Sequence, residues 1–454
     1  LRAVARTGII SAMSARIADL VGAILGDDLP IAVEAYDGTR LGPARAPATL
    51  RIKSPDALRR MLTAPGELGL ARAYVAGDLD LDGDIYAVLS LRERLSRLGI
   101  SPRQWLLAAR LAGLAGLRPL APPPEEVRIR GRRHSKARDA AAVSHHYDVS
   151  NDFYRILLGP SLTYSCAVWS DPGQSLESAQ AAKHELVCRK LALQPGQRLL
   201  DVGCGWGSMA LHAARRYGAR VVGVTISAKQ VDLARRRVAE AGLADQVEIR
   251  LQDYRDVDDG PFDAISSIGM FEHVGRSRVL EYFARLRSLL RPGGRLLNHA
   301  ISRPHPGRAA LARRGFLHRY VFPDGELHEV GTVVSDLHRV GFEVRHLESL
   351  REHYALTTRA WVRNLEQRWD EAVAHTSVGR ARVWRLYLAG SALSFETNGT
   401  QVHQVLAVHS DAGRSGLPLR PSYEHEGAPL DEASLTDTAG SALTHGALVR
   451  PGLR

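Results

Sequence analysis

From about Gln194 onward the chain alternates short apolar runs with longer segments whose apolar residues recur every three or four positions. RLLDVGCG, ARVVGVTIS, VEIRLQDY, FDAISSIG and RLLNHAIS have the length and composition of strands. SMALHAARRYG, AKQVDLARRRVAEAGL and SRVLEYFARLRSLLRPGG, set among them, read as helices. Apolar strands alternating with helices predict a parallel sheet covered on both sides, an α/β fold.

The chain before Gln194 follows another rhythm. The opening GIISAMSARIADLVGAILG is apolar but broken by Arg16 and Asp19, and reads as an amphipathic helix rather than a signal peptide. IAVEAYDG and ATLRIKS are strand-like. SPDALRRMLTAP predicts a helix capped by Ser54 with Pro55 at its first position, and QWLLAARLAGLAGL a second apolar helix. Residues 1–118 are thus expected to form a smaller α+β unit. It holds no catalytic constellation and reads as a structural or lipid-contacting accessory domain. A Pro-rich, basic linker is expected over 119–144, and a globular domain over 145–410. Residues 411–454, rich in Gly, Ser, Pro and Asp, are expected to be a disordered tail.

Charge narrows the choice of partner. The 454 residues carry a formal net charge of +11, which favours anionic partners: nucleic acid or an anionic membrane surface. Six lysines and arginines fall between Arg128 and Arg138. They form either a solvated linker or a patch for lipid headgroups, each worth about 1 kcal/mol near such a surface. No aromatic and basic residues interleave for base stacking, so nucleic acid is not expected. No apolar run reaches the roughly 18–20 residues of a membrane-spanning helix. The three cysteines, Cys166, Cys188 and Cys204, are too few for a disulfide framework and fit a reducing cytoplasm. The histidines lack metal-ligand spacing, so no metal is expected.

The sharpest local feature is Asp201-Val-Gly203-Cys-Gly205-Trp-Gly207, which follows a predicted strand and precedes a predicted helix. Glycines there allow a tight turn and close approach of a ligand to the backbone, and the helix N-terminus offers free N–H groups. The spacing is GxGxG, not the GxGxxG of a phosphate-binding dinucleotide turn. The second strand ends in Val224-Thr225-Ile226-Ser227 followed by Gln230, where most nucleoside-binding folds place an acid for the ribose. A hydroxyl and an amide would replace the carboxylate, which disfavours a nicotinamide dehydrogenase. Gln252-Asp253-Tyr254 ends a later strand within reach of an adenine.

Several segments, in order, resemble one family: the cyclopropane-fatty-acyl-phospholipid synthases, with their mycolic-acid-modifying and 10-methyl-stearate-forming relatives. They are HYDVSNDFY (146–154), LTYSCAVW (162–169), LESAQ (176–180), VVGVTISAKQ, LQDYRD, GMFEHVG (269–275) and YVFPDG (320–325). The resemblance runs from about His145 to His409. It implies a class I S-adenosylmethionine-dependent methyltransferase: a Rossmann-like, mostly parallel seven-stranded sheet with a helical insert, preceded by a smaller lipid-binding-like domain.

The activity implied is methyl transfer from S-adenosylmethionine to the cis double bond of a phospholipid-bound acyl chain, giving a cyclopropane or a 10-methylene branch. A methyltransferase of the same fold acting on a small molecule or nucleic acid is the alternative. The family's base looks to be a bound bicarbonate ion. The motif matches imply Cys166, Glu272, His299 and Tyr354 as catalytic, Tyr354 being the tyrosine that follows the helical insert. They imply Tyr164, Ser165, Gly203, Gly205, Gly207, Thr225, Ile226, Gln230, Asp253, Tyr254 and Ile268 as cofactor-binding, with His273 beside the site. Taken alone, Cys166 would be a small buried apolar residue, as Cys188 and Cys204 are expected to be. LLNHAIS and FPDGELHEVG depart from the commoner family runs and suggest the 10-methylene branch, with a reductase acting on the product. The resemblance further implies a cytoplasmic protein, peripheral on the inner face of the plasma membrane, with a homodimer as one possible assembly.

Overall fold

The computed structural model describes residues 16–26, 28–91, 101–113, 118–127, 135–136, 138–139, 142, 150–307, 311–312 and 315–423. The basic residues Arg128, Arg130, Arg132 and Arg133, the first four residues of HYDVSNDFY, and the expected tail beyond 423 lie outside them.

Seven strands form the central sheet: β5 (Arg198–Val202), β6 (Arg220–Thr225), β7 (Val247–Leu251), β8 (Phe262–Ile268), β9 (Leu290–Ser302), β10 (Glu343–Ser349) and β11 (Gln401–Val408). Their order is β10-β11-β9-β8-β5-β6-β7. β7, β6, β5, β8 and β9 run parallel to one another, while β11 lies antiparallel between β9 and β10. The chain leaves β5 in one direction to build β6 and β7, and returns on the other side with β8. That reversal opens a crevice at the carboxyl ends of β5 and β8, where open α/β sheets bind ligands.

Leu199, Leu200 and Val202 are buried because helices cover both faces of β5. On one face, Val187, Met209, Ala213, Val231 and Ala234 pack from the helices Leu176–Leu191, Ser208–Tyr217 and Ala228–Glu240. On the other, Tyr282, Phe283, Leu286, Val333 and Leu337 pack from Val279–Leu289 and Val330–Arg339. The helix expected through SRVLEYFARLRSLLRPGG stops at Leu289, and β9 begins at Leu290. Pro292 explains the stop: it lacks an N–H and biases the residue before it toward extended backbone.

The first unit has its own sheet, β2-β1-β3-β4, from Ala32–Ala35 (β1), Arg40–Leu41 (β2), Ala48–Ile52 (β3) and Leu79–Gly83 (β4). Pro55 opens the helix Pro55–Thr63 as expected from sequence, but Ser54 does not cap it. Its hydroxyl donates instead to Asp78 at 3.0 Å. Ser101 does cap Pro102–Ala112, paired reciprocally with Gln104. The unit does not stand apart. One continuous core runs from Ile17, Leu58 and Tyr74 through Phe153 and Trp206 to Trp361 and Trp384.

Helices lie in two places around β10. Phe316–Tyr320 and Val330–Arg339 precede it; Arg351–Gln367, Trp369–Ala374 and Val378–Glu396 separate it from β11. Tyr354 sits on the first helix of the second group. Of residues 411–423, expected at the start of the tail, Leu417 packs on the core of the sheet domain and Tyr423 lies edge-on to His346, while most of the others are exposed.

Candidate functional site

Beyond Val202 the chain turns through Gly203, Gly205 and Gly207, all at positive φ. The N–H groups of Gly203 and Cys204 both donate to the Val224 carbonyl, at 2.9 and 3.0 Å, tying the turn to β6. Gly205 lines the crevice, and a Cβ there would meet no atom within 4 Å. Its missing side chain leaves room in the cleft. Gly207 is different. It does not line the cleft; it precedes the helix Ser208–Tyr217, and a Cβ would stand 3.4 Å from Ala234. Its smallness serves packing between helices.

Tyr164, Ser165, Gly203, Gly205, Thr225, Ile226, Gln230, Asp253, Tyr254 and Ile268 line this one cleft, and His273 joins them. At the end of β6 the Thr225 hydroxyl donates to Gln230 Oε1 at 2.7 Å, and both side chains are buried. The pair occupies the place of the usual acid. Asp253 follows β7. Burial alone would raise its carboxyl, but bonds of 2.6–2.9 Å from the Arg255 backbone and guanidinium outweigh burial and hold it below the usual carboxylate range. The cleft therefore carries a fixed carboxylate at one end.

The structure adds residues that sequence reasoning missed. Asp139 and Ala142, from the end of the linker, form part of the wall. Asp139 accepts from Arg255 at 3.1 Å, and Arg138 pairs with Asp324, which also lines the cleft. Lys183 and Asp201 form the floor. Burial pushes the Asp201 carboxyl up to about 6, against a 2.7 Å bond from Ser266 and the nearby charge of Lys183. Burial likewise lowers Lys183 to about 8. Lys183 lies inside an unbroken helical pattern, so only tertiary structure reveals that it faces a cavity.

Cys166, Glu272, His299 and Tyr354 do not line the cleft. Glu272 and His299 are buried at the carboxyl end of β9. Glu272 lies in the short turn Phe271–His273 after β8, and its Oε1 accepts from the Ile301 N–H at 2.7 Å. Its Oε2 is buried with no hydrogen-bond partner among the described residues. Burial raises its carboxyl to about 7, despite the Ile301 bond. His299 stands two residues before Ile301, 2 % exposed. Its Nδ1 lies 3.2 Å from the Gln404 amide nitrogen on β11, and its Nε2 has no partner among the described residues. Burial lowers the ring to about 3, so it is neutral at pH 7.

Cys166 and Tyr354 meet each other at Leu350, the residue before the helix Arg351–Gln367. The Cys166 thiol points at the Leu350 carbonyl at 3.6 Å, and the Tyr354 N–H donates to the same carbonyl at 3.0 Å. Burial pushes the Cys166 thiol well up, so it is a neutral, inert SH. Its loop is fixed by Thr357, whose hydroxyl accepts from the Ala167 N–H at 3.1 Å.

A run of aromatic rings continues from the cleft. Tyr164, which lines the cleft, donates to the Tyr387 hydroxyl at 3.1 Å and packs on Trp361 and Trp384. Tyr387 in turn meets Phe322 edge-on, and Phe322 meets His273, the neighbour of Glu272. The arrangement can hold a polar cofactor in the cleft, while Glu272 and His299 are buried outside it.

Comparison with known proteins shows which family the chain belongs to. The family described as mycolic acid cyclopropane synthetase matches residues 134–405. A probable fatty acid methyltransferase of Mycobacterium tuberculosis is 48% identical over 407 residues, 87% of this chain and 95% of the relative. The cyclopropane-fatty-acyl-phospholipid synthase of Escherichia coli K12 is 37% identical over 364 residues, 80% of this chain and 88% of the relative. The mycolic acid cyclopropane synthase CmaA1, solved with SAH and CTAB, superposes with a TM-score of 0.56 at 35% identity, covering 59% of this chain and 98% of that one. The chain belongs to the mycolic acid cyclopropane synthetase family of S-adenosylmethionine-dependent methyltransferases.

Proposed function

We propose that the protein transfers a methyl group from S-adenosylmethionine to the cis double bond of a phospholipid-bound unsaturated acyl chain, giving a cyclopropane or a 10-methylene branch. The observation that carries this reading is the buried group itself. Glu272 Oε2 and His299 Nε2 are buried with no hydrogen-bond partner among the described residues, and Glu272 is the sequence neighbour of His273, which lines the cleft. Buried polar atoms of this kind need an explanation, and an unfilled site for a small polar group is one.

S-adenosylmethionine supplies an electrophilic sulfonium methyl when bound in the cleft. Gly203 and Gly205 would leave space for it, Gln230 and Asp253 would offer polar groups to its nucleoside, and Tyr164 and Ser165 would border its methionine end. The alkene is a weak nucleophile, so orientation in a dry pocket matters most. Tyr164, Trp361, Trp384 and Tyr387 shape that pocket. A new C–C bond forms at one alkene carbon as the C–S bond breaks, leaving a carbocation on the other. Loss of a proton from the added methyl closes the ring; a hydride shift before proton loss gives the 10-methylene chain.

The orphaned atoms fit a small oxyanion. His299 and Tyr354, with Glu272 in its protonated form, would hold bicarbonate, which would serve as the base that takes the proton. The net charge of +11 supports action at an anionic membrane surface.

The test incubates the full chain with S-adenosylmethionine and vesicles of oleoyl phosphatidylglycerol. The acyl chain gains one CH2 unit, and NMR of the released fatty acid tells ring from branch. No gain in mass overturns the reading.

A further inference from the structure

Behind His299 runs a chain of buried side chains that the proposed reaction does not use directly. Lys190, on the helix Leu176–Leu191, is fully buried. Its ammonium donates to Gln404 Oε1 at 2.7 Å and pairs with the Glu348 carboxylate on β10. Gln404 is fully buried on β11, directly opposite His299 on β9, and its amide nitrogen lies 3.2 Å from His299 Nδ1. No partner among the described residues reaches His299 Nε2.

Donor and acceptor types leave one consistent arrangement. An ammonium only donates, so the Gln404 carbonyl oxygen must face Lys190. The Gln404 NH2 then faces His299 and donates, so Nδ1 must be the acceptor. The hydrogen of a neutral imidazole then sits on Nε2. Flipping the amide would set its NH2 against the ammonium, and moving the ring hydrogen to Nδ1 would set two donors face to face at 3.2 Å. Burial and the nearby charges of Lys183 and Lys190 oppose a second proton on the ring.

We propose that Lys190 and Gln404 are positioning residues that lock His299 in its Nε2–H tautomer, making it a fixed hydrogen-bond donor to an oxyanion in the buried group. The proposal rests on the reading above that such an anion is held there. It assigns His299 the role of donor rather than base, since its only lone pair is committed to Gln404. The arrangement parallels the general rule that the bond made by one ring nitrogen decides what the other can do.

The experiment is nitrogen NMR of the full chain labelled with 15N-histidine, with His299 assigned by its loss in His299→Gln. Wild-type His299 shows a protonated Nε2 and a bare Nδ1 from pH 6 to 8. Gln404→Glu replaces the donor with a carboxylate, which pulls the hydrogen to Nδ1. Its kcat falls by about a hundredfold, the scale of a lost oxyanion donor. Calorimetric affinity for S-adenosylmethionine is unchanged. Lys190→Met frees the amide to flip and gives mixed tautomers, while Lys190→Arg keeps a donor and restores Nε2–H.

A wild-type ring protonated at Nδ1, or at both nitrogens, overturns the proposal. So does a folded Gln404→Glu that keeps Nε2–H. If that variant fails to fold by circular dichroism, the contrast between Lys190→Met and Lys190→Arg decides, and identical His299 spectra in the two overturn the proposal. Nε2–H in a wild-type protein that adds no carbon to oleoyl chains overturns the lipid reading and leaves the tautomer assignment standing.

Discussion

In the cleft, Thr225 donates to Gln230 and Arg255 grips Asp253, whereas outside it Glu272 and His299 each keep a buried polar atom without a partner among the described residues. The two regions lie beside the same few aromatic rings, yet they treat the Asp253 and Glu272 carboxyls in opposite ways. Arg255 overrides burial to keep Asp253 ionised. Burial drives Glu272 and His299 toward their neutral forms. Preorganised pairs such as Thr225 with Gln230 and Arg255 with Asp253 suit binding, because little has to rearrange when the ligand arrives. An unsatisfied, dry pair suits chemistry, because an electrostatic contact there is worth far more than in water. The difference teaches that damage to the two regions should separate into lost affinity and lost turnover.

The largest effect is expected at Glu272. Glu272→Gln should lower kcat by about a thousandfold, the upper scale for one electrostatic group in a dry site, while calorimetric affinity for S-adenosylmethionine stays unchanged. The same variant should be more stable than the parent at alkaline pH. Below the unfolded carboxyl value of 4.5 the group is protonated in both states and costs nothing. Between 4.5 and about 7 only the unfolded chain ionises, so it binds fewer protons and parent stability falls as pH rises. Above about 7 the penalty is constant. At about 1.36 kcal/mol per pH unit, Glu272→Gln should gain about 3 kcal/mol at pH 8 and nothing at pH 4, read from urea unfolding at both. A variant equally stable at both pH values, or one with parental kcat, would remove Glu272 from the buried reactive group.

The next effect falls in the cleft. Gly205→Val puts a β-branched side chain at positive φ and into the cleft. Affinity for S-adenosylmethionine should fall by about a hundredfold, from backbone strain of roughly 1–3 kcal/mol and lost space. Gly207→Ala sharpens the contrast. It shares the positive φ but faces Ala234 rather than the cleft, so it should cost about 1 kcal/mol of stability and leave affinity nearly unchanged. Equal loss of affinity in both variants would mean that Gly207 touches the cofactor after all.

This asymmetry also marks what the sequence made legible. β5, β6, β7, β8 and β9 are apolar runs between amphipathic helices, and periodicity alone finds them. β10 and β11 escape it. β10 is an edge strand, half exposed along EVRHLES, and β11 carries His403 and Gln404 inside an apolar run. Three helices between them hide their pairing. The cleft residues are readable because they cluster around glycine turns and strand ends. The candidate catalytic residues are not readable from local pattern: Cys166, Glu272, His299 and Tyr354 come from four separate segments, and only the family resemblance named them together. Their supports were invisible for a plainer reason. Lys190 and Lys183 are lysines on helices, which composition assigns to solvent, yet both are buried.

The smallest effect tests how far the cleft's internal pairing matters. Thr225→Val keeps the shape and β-propensity of the strand end but removes the hydroxyl that donates to Gln230. The Gln230 carbonyl loses a buried donor and its amide is free to turn. One such hydrogen bond is worth about 1 kcal/mol, so affinity for S-adenosylmethionine should drop about fivefold, with kcat at saturating cofactor unchanged. Because Thr225 lies on the β6 side of the switch point and Glu272 follows β8, the two changes share no partner. The double variant Thr225→Val, Glu272→Gln should therefore show the sum of the two free-energy losses within about 0.5 kcal/mol. A marked departure from additivity would show that binding and turnover are coupled rather than divided.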